Sequence, residues 1–117
     1  MSATDLYRSA EAALREKRAQ WERRLAAIQA DRRRASAPLE QDFAEQAVQR
    51  ENDATLDALD ARGRQELADV EAALGRIEAG VYGSCVHCGS EIAADRLAAE
   101  PTAEACLPCA RRSAEGP

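Results

Sequence analysis

All four cysteines of the chain fall between positions 85 and 109, as Cys85-Val86-His87-Cys88, seventeen residues, then Cys106-Leu107-Pro108-Cys109. No other feature narrows the possible folds as far. Two sulfurs of a C-x2-C turn can reach one metal together, and a second such turn completes a tetrahedron with Zn–S distances of about 2.3 Å. The expected metal is therefore one Zn2+ held by Cys85, Cys88, Cys106 and Cys109. Four protein ligands leave no open coordination position, so its role is structural rather than catalytic. Gly89 supplies the positive φ that turns backbone N–H groups toward the thiolates. Redox chemistry at a single C-x2-C is the competing use, and the pairing of two motifs at this spacing favours metal. Disulfides belong to oxidising compartments. The first residues, MSATDLYRSAEAALREKRAQ, carry no apolar signal stretch, so the expected compartment is the cytoplasm. His87 sits inside the first turn, but four sulfurs already fill the tetrahedron, and it reads as a bystander.

The rest of the chain reads as helix. From about Asp5 to Arg34 there is no Gly or Pro. Leu6, Ala10, Ala13, Leu14, Trp21, Leu25 and Ile28 fall on one helical face, with Leu14, Trp21 and Ile28 at heptad spacing. Thr4 or Asp5 can cap the start, and Arg32, Arg33 and Arg34 suit the negative end of the helix dipole. The break is Ala35-Ser36-Ala37-Pro38-Leu39, because Pro38 lacks an N–H and disfavours helix before it. A second helix then runs to about Ala79, and Gly80 stops it. Leu67, Val70, Leu74, Ile77 and Val81 repeat at alternating three- and four-residue intervals. Leu56, Leu59 and Gly63 continue the stripe with a one-residue slip, and Gly63 weakens the helix by roughly 1 kcal/mol relative to Ala. At 1.5 Å per residue the two helices would be ~45 and ~55 Å long. A short connector makes them antiparallel neighbours.

Charge supports that pairing. Residues 1–34 carry 9 basic and 5 acidic side chains, and residues 35–80 carry 4 basic and 11 acidic ones. Opposite charge along the flanks of a hairpin favours pairing over self-association. The overall net charge of −5 argues against a whole-chain nucleic-acid binder. Aromatic residues make up only 3% of the chain, which speaks against a large β core. No apolar run approaches the ~18 residues of a membrane span. The fold class is thus mostly α: a long antiparallel helical hairpin (coiled coil) over residues 1–80, with its tip around 35–47. A small four-cysteine zinc-binding globule over residues 81–117 anchors its open end.

At the tip, Asp42-Phe43-Ala44-Glu45-Gln46-Ala47 opens the second helix. From the residues alone, Asp42 with Glu45 three positions on reads most simply as a capping box. A second reading is a pair of carboxylates displayed at the end of the hairpin.

The stretch from Arg76 to Gly89, RIEAGVYGSCVHCG, resembles the DksA/TraR zinc-finger family of bacterial transcription regulators. The likeness continues through Glu91-Ile92, Arg96-Leu97, Ala99, Pro101-Thr102-Ala103 and Cys106-Leu107-Pro108-Cys109. The family's tip motif D-x-x-D-x-A aligns without gaps to Asp42, Glu45 and Ala47. The resemblance covers about residues 36–112, and the first helix matches in length and character only. It implies a monomer that binds RNA polymerase through the secondary channel, without promoter-specific DNA contact. The tip then lies near the active site and alters the lifetime of open complexes. Three departures from the family follow. Glu45 is one methylene longer than the family's second tip Asp. Positions that in nucleotide-responsive relatives are basic carry Asp69, Glu100 and Ala110 here, with Arg62 alone matching, so the response to guanosine tetraphosphate should be weak or absent. Only eight residues follow Cys109, so the longer C-terminal helix of relatives should be missing or cut to a turn.

Other functions compete. A Gre-type cleavage factor uses tip carboxylates to hold a metal in the polymerase, but the zinc globule and tip pattern resemble the other family. A zinc-stapled interaction module, or a channel competitor without tip activity, would use the same scaffold. Direct nucleic-acid binding through Arg23, Arg24, Arg32, Arg33 and Arg34 lacks interleaved aromatics. An enzyme is not expected: there is one His, no nucleophile motif, no phosphate-binding Gly loop and no open metal position.

Overall fold

The structure, a computed structural model, describes residues 3–35 and 43–115. The element order is α1 (Ala3–Ala35), α2 (Phe43–Glu78), α3 (Ala94–Ala99) and α4 (Leu107–Glu115). Among the described residues there is no strand, only an isolated antiparallel bridge between Ser84 and Glu91. The mostly helical fold with two long helices ahead of a cysteine cluster is the one the sequence leads to. Of the expected break from Ala35 to Leu39, Ala35 is the last residue of α1, and residues 36–39, with Pro38, lie outside the described residues.

The chain forms two compact units, Met1–Arg18 with Asp69–Pro117, and Ala19–Ala68. In each of them α1 runs antiparallel to α2. The first unit holds the larger core: Ala10 and Leu14 of α1 and Val70 and Ala73 of α2 are buried with Tyr82, Cys85, Ile92, Leu97, Ala103, Ala105 and Cys109. Burial of such side chains, at about 25 cal/mol per Å² of apolar surface, is what holds a small globule together. α2 ends as Gly80 dictates. Its positive φ of 76° allows the Gly80 N–H to reach the Ile77 carbonyl at 3.1 Å and the Val81 N–H to reach Arg76 at 3.0 Å. This is a Schellman closure, open to glycine because it lacks a Cβ.

Two details of the expected stripes are corrected. Val81 is 50% exposed, because it lies past the helix end rather than on its face. Ala13 is exposed while Tyr7 turns inward, so the buried face of α1 is rotated slightly from the expected one. Ala73, fully buried, is the α2 core position the spacing missed.

The second unit packs more thinly. Ile28 is buried, Trp21 and Leu25 half-buried, and Leu59 lies at the surface. Gly63 is not merely a weak helix position. A Cβ there would lie 2.7 Å from Leu25 Cδ2 and 3.2 Å from Trp21 Cε3, so these two side chains pack onto the bare backbone of α2 and would have to shift to admit one.

The expectation of a C-terminal helix missing or cut to a turn is not met. α4 spans nine residues, Leu107–Glu115, because it starts before the last cysteine. Pro108 occupies its first turn, where a missing N–H costs nothing.

Candidate metal centre

The sulfurs of Cys85, Cys88, Cys106 and Cys109 all lie within 4.8 Å of one another. A tetrahedron with ~2.3 Å Zn–S bonds has edges of about 3.8 Å, and the Cys88–Cys106 Sγ separation is 3.7 Å. A small contraction of the rest would complete the cage. The four thiols fit one structural zinc.

Local backbone geometry builds the cage. In the first turn the Gly89 N–H donates to the Cys85 carbonyl at 2.9 Å and the Cys85 N–H to Ser90 at 2.8 Å. Gly89 has φ 77°, as this closure needs. The Val86 N–H donates to the Glu104 carbonyl at 2.9 Å, tying the first turn to the segment before the second. Ile92 donates to Gly83 at 2.7 Å and closes the loop beside the bridge. Cys106 precedes α4 and Cys109 lies in its first turn, where the helix dipole favours negative charge. His87 contributes its backbone N–H, 3.4 Å from Cys85 Sγ, while its side chain is exposed.

The electrostatics suit a set of cation ligands. The Cys85 thiol is pulled down to about 5, first by the N–H of Cys106, against the opposing effect of burial. Cys88 is lowered by hydrogen bonds from Ser90. Cys109 is pushed up to about 12, first by its hydrogen bond with Cys106 and then by burial. Thiols this close cannot all ionise on their own, because each thiolate repels the next. A dication removes that conflict. The sequence did not single out Arg112, whose guanidinium donates to Cys109 Sγ at 3.4 Å. The three-residue helical spacing between them was the available signal.

Around this centre, aromatic and arginine contacts hold the globule together and fasten it to α2. The Tyr82 hydroxyl donates to the Pro101 carbonyl at 2.8 Å. Arg76 donates to Thr102 at 3.3 Å and Arg96 to Ala105 at 3.2 Å. Both arginines line a cavity of about 350 Å³ that also includes Asp69, Glu100 and Ala110. The three non-basic positions marked out by the family resemblance are thus brought to one cavity, while Arg62 is exposed in the other unit.

Of the expected tip residues, Asp42 lies outside the described residues. Glu45 and Ala47 fall in the first turns of α2, with their side chains outside the described ones. The side chain of Arg34 is likewise outside them.

Residues 10–77 match the DnaK suppressor protein-like N-terminal domain family, and residues 80–113 match the prokaryotic dksA/traR C4-type zinc finger family. The protein YteA of Bacillus subtilis is 45% identical over 62 residues, covering 53% of this chain and 25% of YteA. The RNA polymerase-binding transcription factor DksA of Haemophilus influenzae is 40% identical over 48 residues, 41% of this chain and 33% of that protein. The matched stretches therefore span a third or less of these relatives. Among solved structures, transcription factor DksA2 of Pseudomonas aeruginosa superposes with a TM-score of 0.86 at 25% identity, covering 97% of this chain and 86% of that one. The DnaK suppressor protein of Agrobacterium tumefaciens gives a TM-score of 0.60 at 40% identity, covering 90% and 91%. With both halves of the chain matched and the four-cysteine centre formed between its two turns, the chain belongs to the DksA/TraR family of C4-type zinc-finger proteins.

Proposed function

We propose that this chain is a transcription regulator that binds RNA polymerase through the secondary channel, with its hairpin tip near the active site, and alters the lifetime of promoter open complexes. The observation that carries this reading is the match of residues 10–77 and 80–113 to two adjoining DksA-type families. The likeness to a protein named as RNA polymerase-binding supports it. In this reading residues 1–80 are the hairpin, with its tip around 35–47, and residues 81–117 the zinc globule. Asp42, Glu45 and Ala47 are the polymerase-contacting tip residues. Cys85, Cys88, Cys106 and Cys109 are the zinc ligands. The zinc, when bound, cross-links the two cysteine turns and supplies no reaction chemistry. The protein acts in the cytoplasm as a monomer, without sequence-specific DNA contact, and catalyses no reaction of its own.

Response to guanosine tetraphosphate is weak or absent. Asp69 and Glu100 would oppose a polyphosphate in the cavity they line. Arg76 and Arg96 already donate to Thr102 and Ala105. Isothermal titration of the nucleotide into the protein–polymerase complex should show no added site. Tight binding that requires the protein would overturn this part of the reading.

The direct test is the lifetime of open complexes at a ribosomal RNA promoter, with polymerase from the same organism and no nucleotide. A shortened lifetime, abolished in Ala47→Thr, is the expected result. Binding without any change in lifetime would instead mark an occupant of the channel that competes with other factors.

A further inference from the structure

The hydrophobic stripes of α1 and α2 do not by themselves fix how the helices align. Apolar residues recur every three or four positions, so a shift of one turn, about 5.4 Å, sets Leu and Val against Leu and Val again. Two features of the second unit are not repeated in this way. Asp60 is 9% exposed and faces α1. Gln29 Nε2 donates to its Oδ1 at 3.0 Å, Arg64 Nε to its Oδ2 at 2.9 Å, and Arg32 lies 3.4 Å from the same oxygen. Arg32 also pairs with Asp57. One turn further along, Gly63 takes Leu25 and Trp21 so closely that even a Cβ would meet Leu25 at 2.7 Å.

We propose that Asp60 and Gly63 are positioning residues that lock the register of α1 against α2, and thereby place the tip for its work on the polymerase. The functional half of this rests on the reading above; the register half stands on its own. Sliding α2 by four residues one way puts Leu67 where Gly63 sits and Arg64 where Asp60 sits. The first crowds Leu25 and Trp21, and the second sets Arg64 against Arg32. Sliding it four residues the other way puts Leu59 into the glycine position and Leu56 opposite Gln29. The first again crowds Leu25 and Trp21, and the second leaves the amide unpaired. Each alternative is therefore disfavoured by crowding at one position and by charge or hydrogen bonding at the other, and removing either penalty brings it within reach of the native alignment. A partly buried carboxylate at one seam position is a poor source of stability, but it discriminates strongly between alignments.

Trp21 is the single tryptophan of the chain, and it packs at Gly63. Full-length, zinc-loaded protein carrying 5-fluorotryptophan therefore reports the register as a 19F resonance. The test variant is Gln29→Leu/Asp60→Leu, which replaces the polar contact by an apolar one. Asp60→Asn is the conservative rescue, because it keeps the acceptor for Gln29. Wild type and Asp60→Asn should each give one resonance. The double variant should fold with undiminished helical content and thermal stability, yet give two or more resonances. It should bind polymerase while its effect on open-complex lifetime falls by about tenfold or more. One resonance at the wild-type position, or a double variant that does not fold, would overturn the register lock. In the second case the network would be a stability element. Several resonances with a full effect on lifetime would overturn the tip-placing half alone. If wild-type protein has no effect on lifetime, the functional reading fails while the 19F spectra still decide the register.

Discussion

Tyr7, near the start of α1, meets Tyr82 edge-on, with ring centroids 5.8 Å apart and planes at 84°. Its hydroxyl donates to the Gly80 carbonyl at 3.1 Å, just where α2 ends. The pair thus fastens the beginning of the chain to the entrance of the zinc globule. Tyr7→Phe should lose the hydrogen bond and about 0.5–1 kcal/mol. Tyr7→Ala should also lose the edge-to-face contact and ring burial, about 2 kcal/mol in all. Urea unfolding of the zinc-loaded protein measures both, and equal losses would show that the ring contact contributes nothing.

Tyr82 gives the fold an alkaline limit. Burial raises its phenol above the ordinary value of 10.0, with Arg76 partly opposing. The folded state therefore holds the proton more tightly than the unfolded chain does. The advantage is complete below pH 10 and is lost as pH rises through the folded value. Tyr82→Phe should be less stable than wild type by about 1 kcal/mol at pH 8. The gap should narrow as pH rises above 10. A difference that stays constant from pH 8 to 11 would show that Tyr82 ionises equally easily in both states.

Loss of one sulfur should release the metal. Cys88→Ser is the most accessible ligand change, because Cys88 is exposed while Cys85 and Cys109 are buried. Its zinc content should fall close to zero after dialysis against a chelator that wild type withstands. The near-ultraviolet signal of Tyr82 should be lost with it, since α3 and the Pro101 carbonyl are held by the same cage. Full zinc retention in Cys88→Ser would show that three sulfurs and water suffice.

Gly63→Ala sets helix propensity against sterics. Ala is favoured by about 1 kcal/mol in an exposed helix, but here its Cβ would press on Leu25 and Trp21. The substitution should lower the melting temperature. In a Leu25→Ala background, where the opposing side chain is gone, the same change should raise it. Additive effects of the two substitutions would exclude the contact.

Much of this was legible in the sequence, for identifiable reasons. The cysteine spacing specifies a cage because few arrangements let two C-x2-C turns serve one metal. Leu14 and Val70 were found by helical period, since both lie at the centre of a buried stripe. Period alone gave Gly63 the wrong meaning, as a weakness, because its partner Trp21 lies some forty residues away in sequence. Tyr82 escaped notice for a related reason: its partner, Pro101, is fixed by a turn rather than by any repeating pattern. Arg112 differs, since three residues on one helix separate it from Cys109 and that spacing carried the signal. Ala73 was missed because small residues carry little hydrophobic signal, although a tight seam prefers them. The tip was legible only through family resemblance, since Asp42 and Glu45 at a helix start read equally well as a cap.

The division of the chain also has a consequence for its synthesis. Met1–Arg18 completes its unit only with Asp69–Pro117, and Ala19–Ala68 lies between them. During translation the intervening unit has both its helical partners made before the first unit does. Leu14, by contrast, must wait for Val70 and Ala73. At roughly 5–20 residues per second, the roughly 50 residues in between take some 3–10 s to appear. For that interval the first half of α1 carries an open apolar face, and the far end of α2 is the part that covers it.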